Sequence, residues 1–494
     1  MGLKFQPARF ALDLSIMPAD TASSQAPDNT RRGNSLRLLL DAQRAAFARD
    51  PYPTLTARKK HLRELLVALI AKQKDFTKAI DDDFGGRAHA EIMLSEVFVS
   101  GASIKHALRH AAEWMRARSA PVDLPLQPAR AWVMPQPLGV AGIISPWNYP
   151  LFLFMGPLAG ALAAGNRAML KPSEYTPATS ALLARLIEDT FAPDHVAVVN
   201  GDAAVAREFA TLPFDHLLFT GSTAVGREVM RAASENLTPV TLELGGKCPA
   251  ILAPGGDVSK AARDILYGKL LNAGQTCVAP DYVLVPRANL HEFAGAALAA
   301  IDRYFPNAPG NPDYTALIHP RHVERLQSYL EEASARGVEI LPAARRPPCG
   351  RKFAPALLLD PPGDLRVMRE EIFGPVLPLK AYDHLDEALA YVNALPRPLA
   401  LYLFTRDRRI MERVERNTIS GALSVNETLL HCGVESLPFG GVGASGMGHY
   451  HGRHGFETFS KMKPVFYRPF TGFSAKLRPP YGKLHERLLK LLMR

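Results

Sequence analysis

Three residues of this chain have types and settings that suit nucleophilic chemistry on a carbonyl group. Cys277 lies in the segment NAGQTCVAPDYVL, where Gly274 and other small neighbours leave room for a substrate. A cysteine attacks as its thiolate, which requires a polar or dipole-rich setting. Glu243 ends an apolar segment in ELGGK, and Asn148 follows another in PWNYP. A carboxylate in such a place can activate water, and an asparagine amide can donate to a developing oxyanion.

Each of these residues also has a simpler structural interpretation. Cys277 could be a buried structural thiol, and Glu243 could form a salt bridge with Lys247. Asn148 lies between proline-containing segments, where asparagine commonly forms turns. Taken singly, the three motifs leave these alternatives open.

Three further segments suit the binding of a dinucleotide. FTGSTAVG follows an apolar segment and opens a helix near Val225, so backbone and hydroxyl donors there can approach a pyrophosphate. It lacks the G-x-G-x-x-G pattern and is weak evidence alone. Lys171 and Glu174 of KPSE could bracket ribose hydroxyls or simply pair in solvent. Glu371 of EEIFGP poses the same choice between a ribose ligand and a surface charge.

Composition is typical of a globular enzyme with more than one domain. The chain has 494 residues, 47% of them hydrophobic and 21% charged, which excludes disorder throughout. Its formal net charge of +10 could attract nucleic acid. The basic residues alternate with acidic ones, as in 406–416, which indicates a solvated helix face and no nucleic-acid partner.

The cysteines and the apolar segments indicate a cytoplasmic location. Four widely spaced cysteines without metal-ligand spacing predict neither a disulfide framework nor a metal site, and they fit a reducing cytosol (Cys248, Cys277, Cys349 and Cys432). No segment approaches the roughly 18 consecutive apolar residues of a membrane span. The charged amino end forms no clear signal-peptide core.

Helical periodicity dominates the amino-terminal third. Residues 1–34 include a Pro-rich polar stretch and are predicted to be a flexible extension. Helices are predicted over Ser35–Asp50, from Thr54, a plausible N-cap, to Ile80, and from Ala88 to Arg118.

Short apolar strands then alternate with helices, which predicts a parallel sheet with ligands at the carboxyl ends of its strands. The predicted strands are 138–145, 167–172, 195–201, 216–222 and 239–246, and the intervening helices include 151–165 and 176–190. A second alternating region, 246–436, carries Cys277 and suggests a second α/β domain. Residues 129–139 and the tail beyond Pro438 are predicted to form a third, smaller unit, with a basic amphipathic helix at 484–494.

Together these segments resemble the aldehyde dehydrogenase superfamily from about residue 35 to 467. PWNYP, KPSE, FTGSTAVG, ELGGK, GQTC and EEIFGP occur in the family's order, and the interval between Glu243 and Cys277 also matches. NAGQTCVAPDYVL and LPFGGVGASGMGHYHG resemble the class 3 branch, which includes fatty and aromatic aldehyde dehydrogenases. HYHG and VNETLLH are most similar to bacterial coniferyl aldehyde dehydrogenases, whereas Ala444 departs from both patterns.

The resemblance implies the α/β aldehyde dehydrogenase fold: a Rossmann-like cofactor domain, an α/β catalytic domain and a small oligomerisation domain. The corresponding boundaries are 1–34 for the extension, 35–245 for the NAD(P)-binding domain, 246–436 for the catalytic domain and 437–494 for a returning carboxyl-terminal segment. Residues 124–137 would contribute to the oligomerisation unit, and the branch implies a homodimer.

The resemblance also implies a role for each matching residue. Cys277 would be the nucleophile, Glu243 the base, and Asn148 with the Cys277 N–H the oxyanion hole. The cofactor site would comprise Trp147, Lys171, Glu174, Gly221, Ser222, Glu371 and Phe373. The substrate pocket would comprise Tyr149, Tyr267, Leu271, Thr276, Phe439 and His451, although His451 could equally be a packed histidine.

The implied reaction is oxidation of an aldehyde, such as coniferyl aldehyde, to its acid through a thiohemiacetal and a thioester on Cys277. Glu243 favours hydrolysis of the thioester over transfer to coenzyme A. Glu174 would repel a 2′-phosphate, which favours NAD⁺, although class 3 members often accept NADP⁺ as well. The alternatives are a fatty or medium-chain aldehyde substrate and a non-catalytic binding protein on the same fold.

Overall fold

The computed structural model describes residues 29–123, 126–342, 350–469 and 479–493. Most of the extension predicted at 1–34, and Cys349, lie outside these residues. The last six residues of the predicted extension begin the first helix instead. The helices that precede the first sheet are α1 (Asn29–Arg49), α2 (Leu55–Ala71), α3 (Gln73–Phe84), α4 (His89–Ile92) and α5 (Val99–Trp114).

Two of the predicted helices are interrupted, so the prediction that each is one continuous helix is wrong. Thr54 caps α2 as predicted, with its hydroxyl accepting the Ala57 N–H at 3.2 Å. The segment up to Ile80 is nevertheless broken at Lys72, whose ψ of 8° is not helical. The third segment contains a π-helical turn, Met93–Phe98, between α4 and α5. Such turns are frequent at functional sites, and this one contains the buried Glu96.

Strands and helices alternate in the first α/β region as predicted. In chain order the elements are β1 (Arg118–Ala120), β2 (Arg130–Pro137), β3 (Val140–Ile144), α6 (Phe152–Ala164), β4 (Arg167–Lys171), α7 (Pro177–Thr190), β5 (Val196–Val198), α8 (Ala203–Ala210), β6 (His216–Thr220), α9 (Thr223–Ser234) and β7 (Val240–Glu243). Strands β5, β4, β3, β6 and β7 pair in that order and are parallel. Helix α6 is buried on nearly all sides and ends, as predicted, at the left-handed Gly165.

The second α/β region contains its own sheet. Its elements are β8 (Pro249–Leu252), α10 (Val258–Leu270), β9 (Tyr282–Pro286), α11 (Leu290–Tyr304), α12 (Pro320–Ala335), β10 (Glu339–Pro342), β11 (Ala356–Leu359), α13 (Arg366–Arg369), β12 (Val376–Tyr382), α14 (Leu385–Ala394), β13 (Ala400–Phe404), α15 (Arg408–Asn417) and β14 (Ala422–Val425). The order is β10-β11-β12-β9-β8-β13-β14, and all pairs except β10–β11 are parallel. Helix α15 buries only Val414, so its charges form the solvated face that the sequence predicts.

The carboxyl-terminal segment contacts both the first sheet and the predicted third unit. It contains β15 (Gly446–Met447), α16 (Gly452–Thr458), β16 (Ser460–Tyr467) and α17 (Lys483–Leu492). Strand β16 pairs antiparallel with all of β2, so the tail and residues 130–137 share one sheet. Strand β15 pairs with β7 at Glu243, so the tail also lies beside the first sheet. The exact domain boundaries stay predictions.

The apolar side chains form one core in the second region and one on each face of the first sheet. These cores fix the strand ends, because buried parallel strands cannot shift register without exposing apolar residues. Among the described helices, none has the length and apolarity needed to cross a membrane.

Candidate active site

A cavity of about 920 Å³ lies where the carboxyl ends of the first sheet's strands face the second α/β region. This is the position predicted for a ligand of a parallel sheet. All of the residues predicted to be catalytic or cofactor-binding line its wall: Trp147, Asn148, Lys171, Glu174, Gly221, Ser222, Glu243, Cys277, Glu371 and Phe373. Segments that are far apart in the chain therefore share one cleft.

Cys277 follows a sharp backbone reversal after α10. Asn272, Ala273 and Gly274 all have positive φ, at 53°, 50° and 77°. A Cβ atom on Gly274 would lie 2.4 Å from the Gly374 carbonyl oxygen, so the turn requires glycine. Burial raises the pKa of the Cys277 thiol well above its ordinary value, and nearby acidic groups, Cys432 first, raise it further. The thiol therefore needs a proton acceptor before it can attack.

Glu243 ends β7 with its side chain buried and without a hydrogen-bond partner for either carboxylate oxygen among the described residues. The alternative salt bridge with Lys247 is wrong, because that ammonium group contacts Asp281 and donates to the carbonyls of Val367 and Glu370 at 2.8 Å. Burial raises the pKa of Glu243 well above its ordinary value. A carboxyl group of high pKa on a cavity wall can accept a proton from water.

Asn148 makes contacts beyond those of a local turn. Its side-chain amide donates to the Gln275 carbonyl at 3.1 Å, two residues before Cys277. Its own carbonyl accepts from the Asn272 amide at 2.8 Å. An amide carries two hydrogens, so Asn148 can bond Gln275 and donate a second hydrogen elsewhere.

A second set of residues that line the cavity has the features of a dinucleotide site. Ser222 is the N-cap of α9 and accepts the Val225 N–H at 3.4 Å, so a helix amino terminus faces the cavity. The Lys171 ammonium group lies 3.7 Å from the Glu174 carboxylate, and burial lowers the pKa of Lys171. The Lys171 side chain is only 1% exposed, so Lys171 and Glu174 do not form a simple ion pair in solvent.

Glu371 lies against the ELGGK turn. A Cβ atom on Gly245 would lie 1.9 Å from the Glu371 carboxylate, so glycine is required for this close approach. One carboxylate oxygen, Oε1, has no hydrogen-bond partner among the described residues. Burial, followed by repulsion from Asp281, raises the pKa of Glu371 to about 8. A carboxyl group with one unpartnered oxygen, lining the same cavity as a helix amino terminus, suits ribose hydroxyls and a pyrophosphate.

The residues predicted for the substrate pocket are more scattered, and none of them is on the wall of this cavity. The Tyr149 and Thr276 hydroxyls are buried and hydrogen-bonded to each other at 2.6 Å. The Phe439 and His451 rings stack with centroids 5.0 Å apart. Tyr267 is 37% exposed and packs edge-on against Tyr304. Leu271, four residues after Tyr267, is partly buried.

Helix α12 contributes cavity residues that no sequence motif indicated. The His322 ring lies 5.4 Å from the Trp147 ring, which also contacts Phe373 at 5.4 Å. Arg325 donates to the Glu371 carbonyl at 3.4 Å. The contacts of Trp147 depend on how the second region packs on the first, and that of Arg325 on the packing of α12 within the second region, so the local sequence of α12 held no signal for them.

The aldehyde dehydrogenase family model matches residues 29–465 of this chain. The chain belongs to the aldehyde dehydrogenase family. It is 49% identical to a probable coniferyl aldehyde dehydrogenase of Pseudomonas aeruginosa, over 97% of this chain and 100% of that relative. It is 45% identical to the coniferyl aldehyde dehydrogenase of Pseudomonas sp. strain HR199, over 92% of this chain and 95% of that relative. The substrate-bound Staphylococcus aureus AldH superposes with a TM-score of 0.88 at 36% identity, covering 92% of this chain and 99% of that one.

These findings confirm the predicted family, fold class and enzyme class. The chain is an NAD(P)-dependent oxidoreductase that oxidises aldehydes to acids. The alternative of a non-catalytic binding protein does not apply.

Proposed function

We propose that this enzyme oxidises an aromatic aldehyde of the hydroxycinnamyl type, such as coniferyl aldehyde, to the free acid with NAD⁺. The observation that carries the proposal is that Cys277, Glu243 and Asn148 line one cavity together with the dinucleotide motifs. The names of the relatives support the substrate class, since the P. aeruginosa and HR199 proteins are both described as coniferyl aldehyde dehydrogenases.

In the proposed mechanism, the Cys277 thiol gives its proton to solvent water in the cavity, and the thiolate sulfur then adds to the aldehyde carbon. Asn148 and the Cys277 N–H donate to the resulting oxyanion. The bound oxidised nicotinamide would supply the hydride acceptor. Loss of hydride from the former aldehyde carbon leaves a thioester on Cys277. Glu243 then removes a proton from water, and the hydroxide attacks the thioester carbonyl. The acid departs as the Cys277 thiolate leaves, and the proton held by Glu243 returns to the sulfur. Glu243 thereby favours hydrolysis over transfer to coenzyme A.

For the cofactor, we propose that Trp147, Lys171, Gly221, Ser222 and Phe373 hold the dinucleotide together with the carboxylates of Glu174 and Glu371. Glu174 is a cavity-wall carboxylate whose side chain is 35% exposed. A negative charge there would repel a 2′-phosphate, which favours NAD⁺ over NADP⁺.

Replacement of Glu174 by glutamine is expected to lower the ratio of kcat/KM for NAD⁺ to kcat/KM for NADP⁺ about tenfold, which corresponds to about 1.4 kcal/mol. The physical reason is the loss of like-charge repulsion near the 2′-phosphate. The measurement is kcat/KM for NAD⁺ and NADP⁺ with one aldehyde. We expect kcat/KM for NADP⁺ to rise, whereas kcat/KM for NAD⁺ should fall or stay the same, because Glu174 is also proposed to help hold NAD⁺. A wild-type preference for NADP⁺ would contradict the assignment of Glu174.

At the substrate end, we propose that His451 contacts the aldehyde's ring. It is 4% exposed, neither ring nitrogen has a hydrogen-bond partner among the described residues, and its φ of 89° is strained for a side-chain-bearing residue. Burial lowers the pKa of His451 to about 3, so the ring is neutral at ordinary pH. A neutral imidazole can donate one hydrogen bond and accept another, which suits a phenolic hydroxyl better than an alkyl chain. Tyr149, Tyr267, Leu271, Thr276 and Phe439 are proposed as the surrounding contacts.

An aldehyde panel tests this function. We expect 4-hydroxycinnamaldehyde to be oxidised with a kcat/KM at least tenfold above those of cinnamaldehyde and dodecanal, since an unpaired buried polar group costs about 1–3 kcal/mol. In His451→Phe the advantage over cinnamaldehyde should disappear. His195→Phe is the control, because His195 packs against Phe191 near β5. A preference of the wild type for dodecanal would instead support the fatty-aldehyde alternative.

We also propose that the enzyme is a homodimer. Strands β1, β2 and β16 form a three-stranded sheet in that order, so β16 is an edge strand. On it, Phe466 and Tyr467 are 55% and 54% exposed. An edge strand with exposed aromatic side chains suits pairing with a second copy.

A further inference from the structure

Arg87 is a buried cation between α3 and α4, outside the site described above. Its guanidinium group has no solvent exposure and makes four hydrogen bonds. Nε donates to Glu91 at 2.8 Å, and Nη2 donates to the Ser95 hydroxyl at 3.0 Å. Nη1 donates both to Glu96 at 2.9 Å and to the backbone carbonyl of Asn148 at 3.3 Å. One side chain thus joins the π-helical turn to the PWNYP segment.

The two carboxylates that bind Arg87 each hold a different part of the candidate site. Glu96 accepts the N–H groups of Leu151 and Phe152 at 3.1 and 2.9 Å, at the start of α6 and directly after PWNYP. Glu91 accepts the Asn272 N–H at 3.2 Å, in the reversal that precedes Cys277. The π-helical turn is what carries Glu96 into this position.

A second set of hydrogen bonds connects the PWNYP segment directly to the backbone reversal at Asn272. The Asn272 amide donates to the carbonyls of Asn148 and Gln275 at 2.8 and 3.2 Å. The Asn148 amide donates to the same Gln275 carbonyl at 3.1 Å. The left-handed φ of Asn272 is unfavourable alone. These hydrogen bonds, and the one that the Asn272 N–H donates to Glu91, hold the residue in this conformation.

The stability of the fold alone gives little reason to bury Arg87 with the carboxylates of Glu91 and Glu96. Two carboxylates share one guanidinium in a buried setting, and buried ion pairs are often no more stabilising than apolar side chains of the same volume. Burial, opposed by Arg87, raises the pKa of Glu96 to about 7, which shows that ionising this carboxyl is costly. By contrast, Arg58 is equally buried, but among the described residues its side chain donates only to backbone carbonyls, those of Pro53, Ala163 and Ala164.

We propose that Arg87 is a positioning residue that sets the Asn148 amide relative to Cys277. It acts through Glu91, which fixes the Asn272 turn, and through Glu96 and the Asn148 carbonyl, which fix the PWNYP segment. The inference rests on the proposed roles of Asn148 and Cys277. Loss of Arg87 frees both segments, and an oxyanion donor displaced by about 1 Å can cost about a hundredfold in rate.

A double-mutant cycle with Asn148→Ala tests whether Arg87 acts through Asn148. The readout is the burst rate of reduced-cofactor formation, divided by the number of reactive Cys277 thiols. We expect Asn148→Ala to slow the burst by about 10²–10³-fold and Arg87→Met by about 10–10²-fold. The double variant should be within about threefold of Asn148→Ala, because the donor that Arg87 positions is already absent. The dissociation constant of NAD⁺ should change less than threefold.

Arg58→Met is the matched control, since it also removes a fully buried arginine near α6. We expect it to lower the melting temperature while leaving the burst rate per reactive thiol unchanged. If Arg87→Met does not fold, Arg87→Lys replaces it, because a single ammonium group cannot reach all four acceptors and should give a smaller loss of the same kind.

Two results would overturn the inference alone: full additivity of the Arg87 and Asn148 losses, or an equal slowing by Arg58→Met. A wild-type burst rate in Asn148→Ala is a different failure, because it would overturn the proposed oxyanion role and this inference with it.

Discussion

Cys277→Ala is expected to abolish aldehyde-dependent formation of reduced cofactor, with a loss on the order of 10⁵–10⁶-fold in kcat. The proposed chemistry begins with a bond between the Cys277 sulfur and the aldehyde carbon, and an alanine methyl group cannot form it. Removing a nucleophile from an enzyme that works through a covalent intermediate has an effect of this size. The measurement is steady-state kcat together with NAD⁺ affinity, which should be retained because the methyl group leaves the cofactor wall intact.

The other described cysteines supply the controls. Cys248 is fully buried and donates to the Cys277 carbonyl at 3.4 Å, so Cys248→Ala should affect stability more than chemistry. Cys432 lies 3.5 Å from the His431 ring nitrogen, and Cys432→Ser should keep activity within about tenfold. Near-wild-type turnover by Cys277→Ala, or loss of activity only in Cys432→Ser, would refute the nucleophile assignment.

The parts of the site that could be predicted from sequence are those at the ends of strands. Lys171, Thr220 and Glu243 end the parallel strands β4, β6 and β7, and such ends meet at one edge of a sheet. Ser222 precedes α9 and caps it, as a serine at a strand–helix junction is expected to do. Local pattern and topology together therefore placed the cofactor motifs in one cleft.

The parts that could not be predicted depend on contacts between distant segments. Lys247 is four residues from Glu243, yet its ammonium group pairs with Asp281, because β8 and β9 are neighbours in the second sheet. The π-helical turn that brings Glu96 to Arg87 lies within an unbroken helical pattern, so periodicity predicted a regular helix there. The residues proposed as substrate contacts lie on segments as far apart in the chain as Tyr149, Tyr267 of α10 and His451, so their relative placement also depends on tertiary packing.

Glu243→Gln is expected to separate the two halves of the reaction. Glutamine has nearly the same shape as glutamate but cannot accept the proton from water, so acylation of Cys277 should proceed and hydrolysis should fail. We expect a burst of about one reduced cofactor per active site, followed by a steady state 10²–10⁴-fold slower than in the wild type, the usual contribution of a general base. Rapid-mixing absorbance measurements give both phases, and mass spectrometry of the quenched enzyme should find the acyl group on Cys277.

The pH dependence of the steady state gives the same assignment an independent test. Burial raises the pKa of Glu243 well above its ordinary value, so at low pH the carboxyl group is protonated and cannot act as a base. Hydrolysis in the wild type should therefore speed up as pH rises, over a range well above the ordinary titration of a glutamate. Cys277 also has a raised pKa, so its acylation rate must be followed separately in the burst. In Glu243→Gln the burst should keep its pH dependence, whereas the hydrolysis limb that belongs to Glu243 disappears. If glutamine removed the burst itself, Glu243 would be required for attack by the thiol, and its assignment to hydrolysis alone would be wrong.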